Sequence, residues 1–257
     1  MELSVHGATV HCELSGAGTA TVVVLHGWGA SIEVMRPIVD HLAASFRVLA
    51  VDFPGFGQSP PPPEAWGVPQ YADMTAALLG QLDIRRPILL GHSFGGRVIL
   101  YLVGQLGYEA DRLILVGSAG IKPPASGKVS ARTRLFKLGK AAVSPLPARL
   151  REPLLERLRG RFGSADYRAA QGVMREVLVK TVNLDLAPLL PGITAETLLI
   201  WGDQDSATPL WQAQQMARLL PNAGLAVIPG AGHYSFFDNP PLFYAILDSY
   251  TRSLGVH

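Results

Sequence analysis

Residues 87–96 read Pro87-Ile88-Leu89-Leu90-Gly91-His92-Ser93-Phe94-Gly95-Gly96, and this stretch decides the fold. Residues 87–90 have the all-apolar character of a strand buried on both faces. Residues 94–106 then carry apolar side chains at helical spacing. Between the two, Gly91-x-Ser93-x-Gly95 fits a sharp strand-to-helix turn that pushes the serine hydroxyl into the open. Such a turn strains the serine backbone, and only hydrogen-sized neighbours at 91 and 95 avoid a clash around it. The helix that follows presents the Phe94 N–H where oxyanion charge would develop. A five-residue pattern can arise by chance; the strand before it and the helix after it give this one its weight.

Working outward, short apolar runs of the same kind occupy residues 21–25, 46–51, 112–116, 197–201 and 225–228. Apolar residues recur at helical spacing over 32–43, 71–82, 210–219 and 242–253. Strands alternating with helices predict an α/β fold, a mostly parallel sheet with helices on both faces. Residues 3–14 differ, with two short strands around Gly7 that predict an antiparallel hairpin at the sheet edge.

The alternation stops after Gly120. Residues 121–190 are helical in pattern, punctuated by prolines, and predict a helical insertion between two strands. The chain thus divides into core residues 1–120, an insertion at 121–190, and core residues 191–257, all in one domain. Inside the insertion, Leu150, Leu154, Leu155 and Leu158 form an apolar stripe. Ser164 is placed to cap a helix running through Tyr167, Val173, Met174 and Val177. Pro60–Pro63 is a short stiff spacer in a loop.

With 257 residues, 48% hydrophobic and 16% charged, the chain has the composition of a globular protein with a large core. No apolar run approaches the ~18 residues that cross a bilayer. The first residues lack a basic stretch followed by an apolar one, so no secretory signal is visible. Cys12 is the single cysteine, which rules out an internal disulfide and makes a reducing, cytoplasmic location the default expectation. The net charge of +2 hides an asymmetry. Residues 121–190 hold 14 of the 22 Lys and Arg but 5 of the 20 acids, hence +9, against −7 for the remainder. A basic surface attracts anions of many kinds. Without a nucleic-acid recognition motif, this one reads as solvated helix faces, and no nucleic-acid partner is expected.

The run after residues 21–25 is His26-Gly27-Trp28-Gly29. A His-Gly turn here supplies a second oxyanion donor, the Trp28 N–H, while the His26 imidazole is assigned to bracing the loop. On such a fold a general base follows an acid late in the chain. His233, in Pro229-Gly230-Ala231-Gly232-His233, fits, with glycines that let the loop fold back over the sheet. His6, His11, His41, His92 and His257 are adequately explained by surface or structural roles. Two carboxylates, Asp203 and Asp205, compete as the acid, and spacing alone does not choose between them. Nothing resembles a zinc ligand set or a nucleotide-binding glycine turn, so neither a metal nor an organic cofactor is expected.

These segments together resemble the α/β-hydrolase superfamily, particularly its capped esterase, lactonase and carbon–carbon bond hydrolase members. The matching residues are His26-Gly27, Asp52–Ser59, Gly91–Gly96, Gly202…Asp205…Pro209 and Gly232-His233. In that family the acid lies three residues after the glycine ending its strand, which implies Asp205 and makes Asp203 the runner-up. The insertion matches a family cap, and Asp52–Ser59 a turn that braces the site. Many members have Pro where this chain has Gly29, which implies a looser loop around Trp28.

The resemblance implies a serine hydrolase of a small-molecule substrate: Ser93 the nucleophile, His233 the base, Asp205 its orienting acid. The Trp28 and Phe94 N–H groups would form the oxyanion hole, and their side chains part of the substrate pocket. Small carboxylic esters lead as substrates. Vinylogous diketones, with a carboxylate held by the basic cap, and enol-lactones are the alternatives. An aminopeptidase would need a cap carboxylate, and Glu152, Glu156, Asp166, Glu176 and Asp185 sit in surroundings too positive to favour it. A ligand-binding protein on the same fold is the reading from another class.

Overall fold

The computed structural model describes residues 1–122, 138–139, 141–147, 149–151, 153–155, 157 and 165–252. Its strands are β1 (Glu2–Val5), β2 (Ala8–Ser15), β3 (Thr21–Leu25), β4 (Arg47–Val51), β5 (Ile88–His92), β6 (Arg112–Val116), β7 (Glu196–Gly202) and β8 (Ala223–Ile228). Its helices, among the described residues, are α1 (Ile32–Ala43), α2 (Val68–Gln81), α3 (Phe94–Gly104), α4 (Ala165–Ala169), α5 (Val173–Val182), α6 (Leu210–Leu219), α7 (Ser235–Asp238) and α8 (Pro240–Thr251).

The strands form one sheet in the order β1-β2-β4-β3-β5-β6-β7-β8. The hairpin β1–β2 and the pair β2–β4 are antiparallel, and every other pair is parallel. Helices cover both faces, which is why Val22–Leu25 of β3, Ile88–Leu90 of β5 and Leu113–Val116 of β6 are continuous apolar runs. On one face α2, α3 and α6 supply Tyr71, Met74, Val98, Leu102 and Met216 to the core. On the other, α1 and α8 supply Ile32, Met35, Ile38, Phe243 and Leu247.

The topology also says where a site belongs. From β3 the chain winds outward to β4, then returns to lay β5 on the opposite side of β3. The strand order therefore reverses between β3 and β5, and a crevice opens beyond their carboxyl ends. Their register pairs Leu25 with Gly91, so the His26 loop and the Ser93 turn emerge side by side at that crevice.

The insertion enters between β6 and β7. Its return end is tied to the core: Leu186 N–H donates to Gly120 O at 2.9 Å, and Val177, Leu186 and Leu190 join the main core cluster. Inside it the structure corrects the sequence-based expectation. Instead of one helix through residues 167–177 there are two, α4 and α5, separated at Gly172, whose φ of 51° no helix accommodates. Of the apolar stripe, Leu155 is buried whereas Leu150 and Leu154 are exposed. Leu158 and the expected cap Ser164 lie outside the described residues. Helix α2 starts at Val68, three residues before the apolar pattern suggested, with Pro69 in its first turn and the Gln70 side chain accepting from Gly67 N–H at 2.8 Å. Among the described residues no helix is long and apolar enough to cross a membrane.

Candidate active site

Ser93 stands at the junction of β5 and α3 with φ 50° and ψ −104°, in left-handed backbone that a residue with a side chain seldom adopts. Three backbone hydrogen bonds over-determine it: Ser93 N–H donates to Val116 O at 3.0 Å, and its carbonyl accepts from Arg97 and Ala119. The flanking glycines are obligatory on packing grounds. A Cβ at Gly95 would lie 2.1 Å from the Leu25 carbonyl oxygen, and one at Gly91 2.5 Å from Gly96 N. As the first residue of α3, Phe94 has an N–H with no partner inside the helix.

The loop after β3 is held by His26. Its Nδ1–H donates to Gly27 O at 2.7 Å, and its Nε2 accepts from Phe53 N–H at 3.0 Å. Burial pushes this imidazole down to about 4, so it stays neutral, as the two bonds require. Asp52 pins the adjoining turn, with Oδ1 accepting from Ile32 N–H and Oδ2 from Gln58 N–H. His11, buried in the edge hairpin, faces the same Oδ2 at 3.0 Å. Although Gly29 has φ 71°, Trp28 is packed edge-on against Phe56 and Phe94, with ring centroids 4.8 and 5.8 Å apart. No backbone hydrogen bond of this loop uses the Trp28 N–H.

The two competing carboxylates separate. Oδ2 of Asp205 lies 2.7 Å from His233 Nδ1, and its Oδ1 accepts from the Ala207 and Thr208 N–H groups at 2.8 Å each. The Thr208 hydroxyl sits 2.7 Å from Oδ2. Burial alone would raise the Asp205 pKa, but the hydrogen bonds from His233 and Thr208 outweigh it and hold the carboxyl below its usual value. Asp203 instead turns to the exposed neighbouring loop, where Oδ1 accepts from Gly230 N–H at 2.8 Å.

Ser93, His233, Trp28 and Phe94 line one cleft of about 460 Å³, completed by Leu178 and Val182 of α5. The Ser93 and His233 side chains share it without a hydrogen bond between them. With Nδ1 engaged by Asp205, Nε2 is the His233 nitrogen left for chemistry. The cleft also contains residues that the sequence did not single out for the site. Arg97 and Tyr234 line it, as does Asp166, noted from sequence only as one of five cap acids. His92 has its structural role at the site itself. Its Nε2–H donates to the His233 carbonyl at 3.0 Å, its Nδ1 is buried without a partner, and its ring packs on His233 and Tyr234. Burial, then the neighbouring His233, pushes His92 down to about 3. Its place beside Ser93 was the only sequence signal for it. Among the described residues no three His, Cys, Asp or Glu side chains gather as a metal ion would require.

Comparison with known proteins bears on the family and the fold. A family model described as the alpha/beta hydrolase fold matches residues 20–240. The pimeloyl-[acyl-carrier protein] methyl ester esterase of Edwardsiella ictaluri is 30% identical, over 94% of this chain and 96% of its own. The 2-hydroxy-6-oxononadienedioate/2-hydroxy-6-oxononatrienedioate hydrolase of Cupriavidus pinatubonensis is 26% identical, over 91% of this chain and 87% of its own. Among solved structures, an esterase from Exiguobacterium antarcticum superposes with a TM-score of 0.76 at 22% identity, covering 98% of both chains, a likeness of fold.

Proposed function

Because the chain belongs to the α/β-hydrolase family and is a hydrolase, we propose that it is a serine carboxylesterase of small esters, working through Ser93, His233 and Asp205. The observation that carries this is the 2.7 Å Asp205–His233 contact in the cleft that also holds the strained Ser93.

His233 Nε2 takes the Ser93 proton as Oγ attacks the ester carbonyl carbon. The negative charge that collects on the carbonyl oxygen is met by the Trp28 and Phe94 N–H groups. That oxyanion stabilisation is the largest electrostatic help in such chemistry, about 3 kcal/mol or more per donor. Asp205 keeps the proton on Nδ1, so Nε2 is the basic nitrogen, and its charge stabilises the imidazolium. His233 then hands its proton to the leaving alcohol. Water, deprotonated by the same nitrogen, attacks the acyl-enzyme and frees the acid. The chemistry asks for no metal or organic cofactor.

Trp28, Phe94, Leu178 and Val182 make the cleft apolar enough for a small acyl or alcohol group. The relative from Cupriavidus supports a second reading, hydrolysis of a carbon–carbon bond in a vinylogous diketone, for which the same three residues would serve. Hydrolysis of p-nitrophenyl esters from acetate to laurate, by the native chain and by Ser93→Ala, tests the proposal. Turnover of the shorter chains that disappears in the variant is the expected result. Turnover surviving in Ser93→Ala would end the serine assignment, and stoichiometric binding without turnover would mark a ligand-binding protein.

A further inference from the structure

Arg97 lies in the first turn of α3, four residues after Ser93, and lines the same cleft. The residue is 8% exposed. Nη1 donates to the carbonyls of Thr181, at 2.9 Å, and Leu184, at 2.6 Å, where α5 ends. The guanidinium is thereby clamped between the core and the insertion.

The remaining donors are what make it unusual. A guanidinium has five N–H groups. Among the described residues Nε and Nη2 have no protein partner, yet neither is sealed in the interior as an orphaned polar atom. The space that Arg97 borders is the cleft of Ser93 and His233. No carboxylate pairs with it among the described residues. Asp185, the acid that acts on it, is exposed and spends Oδ1 on the Lys122 and Ala187 N–H groups. Burial pushes Arg97 down to about 10, which leaves it charged at neutral pH. A buried cation without a counter-ion is unfavourable, and an anion that binds there recovers the difference.

Other charges in the cleft fit a divided site. Asp166 is exposed and acts on Tyr234, on the His233 side. Among the described residues no Lys or Arg of the insertion lines the cleft, and the cation that does, Arg97, comes from the core. Arg97 also stands apart from the Asp205–His233 pair, since neither of those groups acts on it. His233 must protonate the leaving alcohol, which places that group beside His233 and the acyl chain toward Arg97.

We propose that Arg97 binds a carboxylate at the far end of the acyl chain, so that half-esters of short dicarboxylic acids are the favoured substrates. Ser93 and Arg97 are four residues apart and line the same cleft of about 460 Å³, a setting for a chain of a few carbons between them. Nε and Nη2 present two parallel N–H donors, the arrangement that suits a carboxylate. The proposal rests on the serine hydrolase reading above and adds the substrate class to it.

The test compares p-nitrophenyl half-esters of glutaric and adipic acids with the same compounds capped as methyl esters, in the native chain, Arg97→Lys and Arg97→Met. The native chain is expected to favour the free acids in kcat/KM by about 10- to 100-fold, the range of a charge-assisted contact. That ratio, in which any general loss of folded protein cancels, collapses toward one in Arg97→Met and falls part-way in Arg97→Lys. A native ratio at or below one, or an unchanged ratio in Arg97→Met, overturns the proposal. If no ester is turned over, fluorophosphonate labelling of Ser93 decides. Protection by monomethyl glutarate but not by dimethyl glutarate upholds the Arg97 site, and equal protection or none refutes it. Failure to label Ser93 at all removes the serine reading itself.

Discussion

Oδ2 of Asp205 lies 2.7 Å from Nδ1 of His233, while Oδ1 of the same carboxylate holds the N–H groups of Ala207 and Thr208. One side chain thus closes the turn after β7 and orients the imidazole. Asp203 has no such double duty, since among the described residues its side chain bonds only to Gly230 N–H. Asp205→Asn is therefore expected to lower kcat by about 10³- to 10⁴-fold, because an amide no longer fixes the tautomer or stabilises the imidazolium. Asp203→Asn should stay within a few-fold of the native chain. Steady-state kinetics on one ester, with thermal melts to confirm folding, checks both; equal losses would break the assignment.

Two buried histidines make stability depend on pH. His26 and His92 are held at about 4 and about 3, chiefly by burial, against an ordinary 6.5. Below about 6.5 the unfolded chain takes up protons at these positions that the folded chain refuses until far lower pH. The unfolded state binds more protons throughout that window, so stability is complete above it and falls as the pH drops. At pH 5 each histidine accounts for about 2 kcal/mol of that loss. Melting temperatures recorded from pH 7.5 to 5 should decline steadily, and the slope should be shallower in His92→Gln. A flat native profile would contradict the neutral, buried state of these rings.

Glycine positions separate packing from propensity. A Cβ at Gly95 would meet the Leu25 carbonyl oxygen at 2.1 Å, whereas one at Gly80, near the end of α2, meets nothing within 4 Å. Gly95→Ala should cost about 1–3 kcal/mol or more and disturb the turn that shapes Ser93. Gly80→Ala should stabilise by about 0.5–1 kcal/mol, since alanine loses less backbone entropy in a helix. Chemical denaturation of both variants measures the difference. Similar effects of the two would contradict the close backbone contact at the Ser93 turn.

His92 gives a fourth test. Its Nε2–H reaches the His233 carbonyl, so it positions the loop that carries the proposed base. His92→Ala is expected to lower kcat by roughly ten-fold with KM little changed, since removing one positioning hydrogen bond costs about 1 kcal/mol or somewhat more. Full retention of kcat would leave His92 as core packing alone.

How much of this was legible beforehand follows from the range of the interactions. The sheet, its edge hairpin and the Ser93 turn are local matters, written as apolar runs and as glycines at 91 and 95, and the structure has them where those patterns place them. His26 likewise braces its loop, as its neighbours in sequence implied. The insertion was read less well. The apolar pattern of residues 167–177 ran straight through Gly172, whose positive φ splits the helix, and Leu150 and Leu154 of the expected stripe face solvent. Arg97 carries no local sequence signal that sets it apart. Its significance depends on Thr181 and Leu184, more than 80 residues away, which the topology alone brings to it. The insertion's positive charge reads as solvated helix faces, and among the described residues the cation that lines the cleft, Arg97, belongs to the core.

The central claim is that Ser93 is a nucleophile activated by His233. It is tested most directly by exposing the native chain, Ser93→Ala and His233→Ala to a fluorophosphonate and measuring intact mass and the labelled peptide. The account predicts one adduct per native chain, located on Ser93, none on Ser93→Ala, and labelling at least a hundred-fold slower on His233→Ala. A native chain that stays unlabelled, or an adduct that persists in Ser93→Ala, would contradict it.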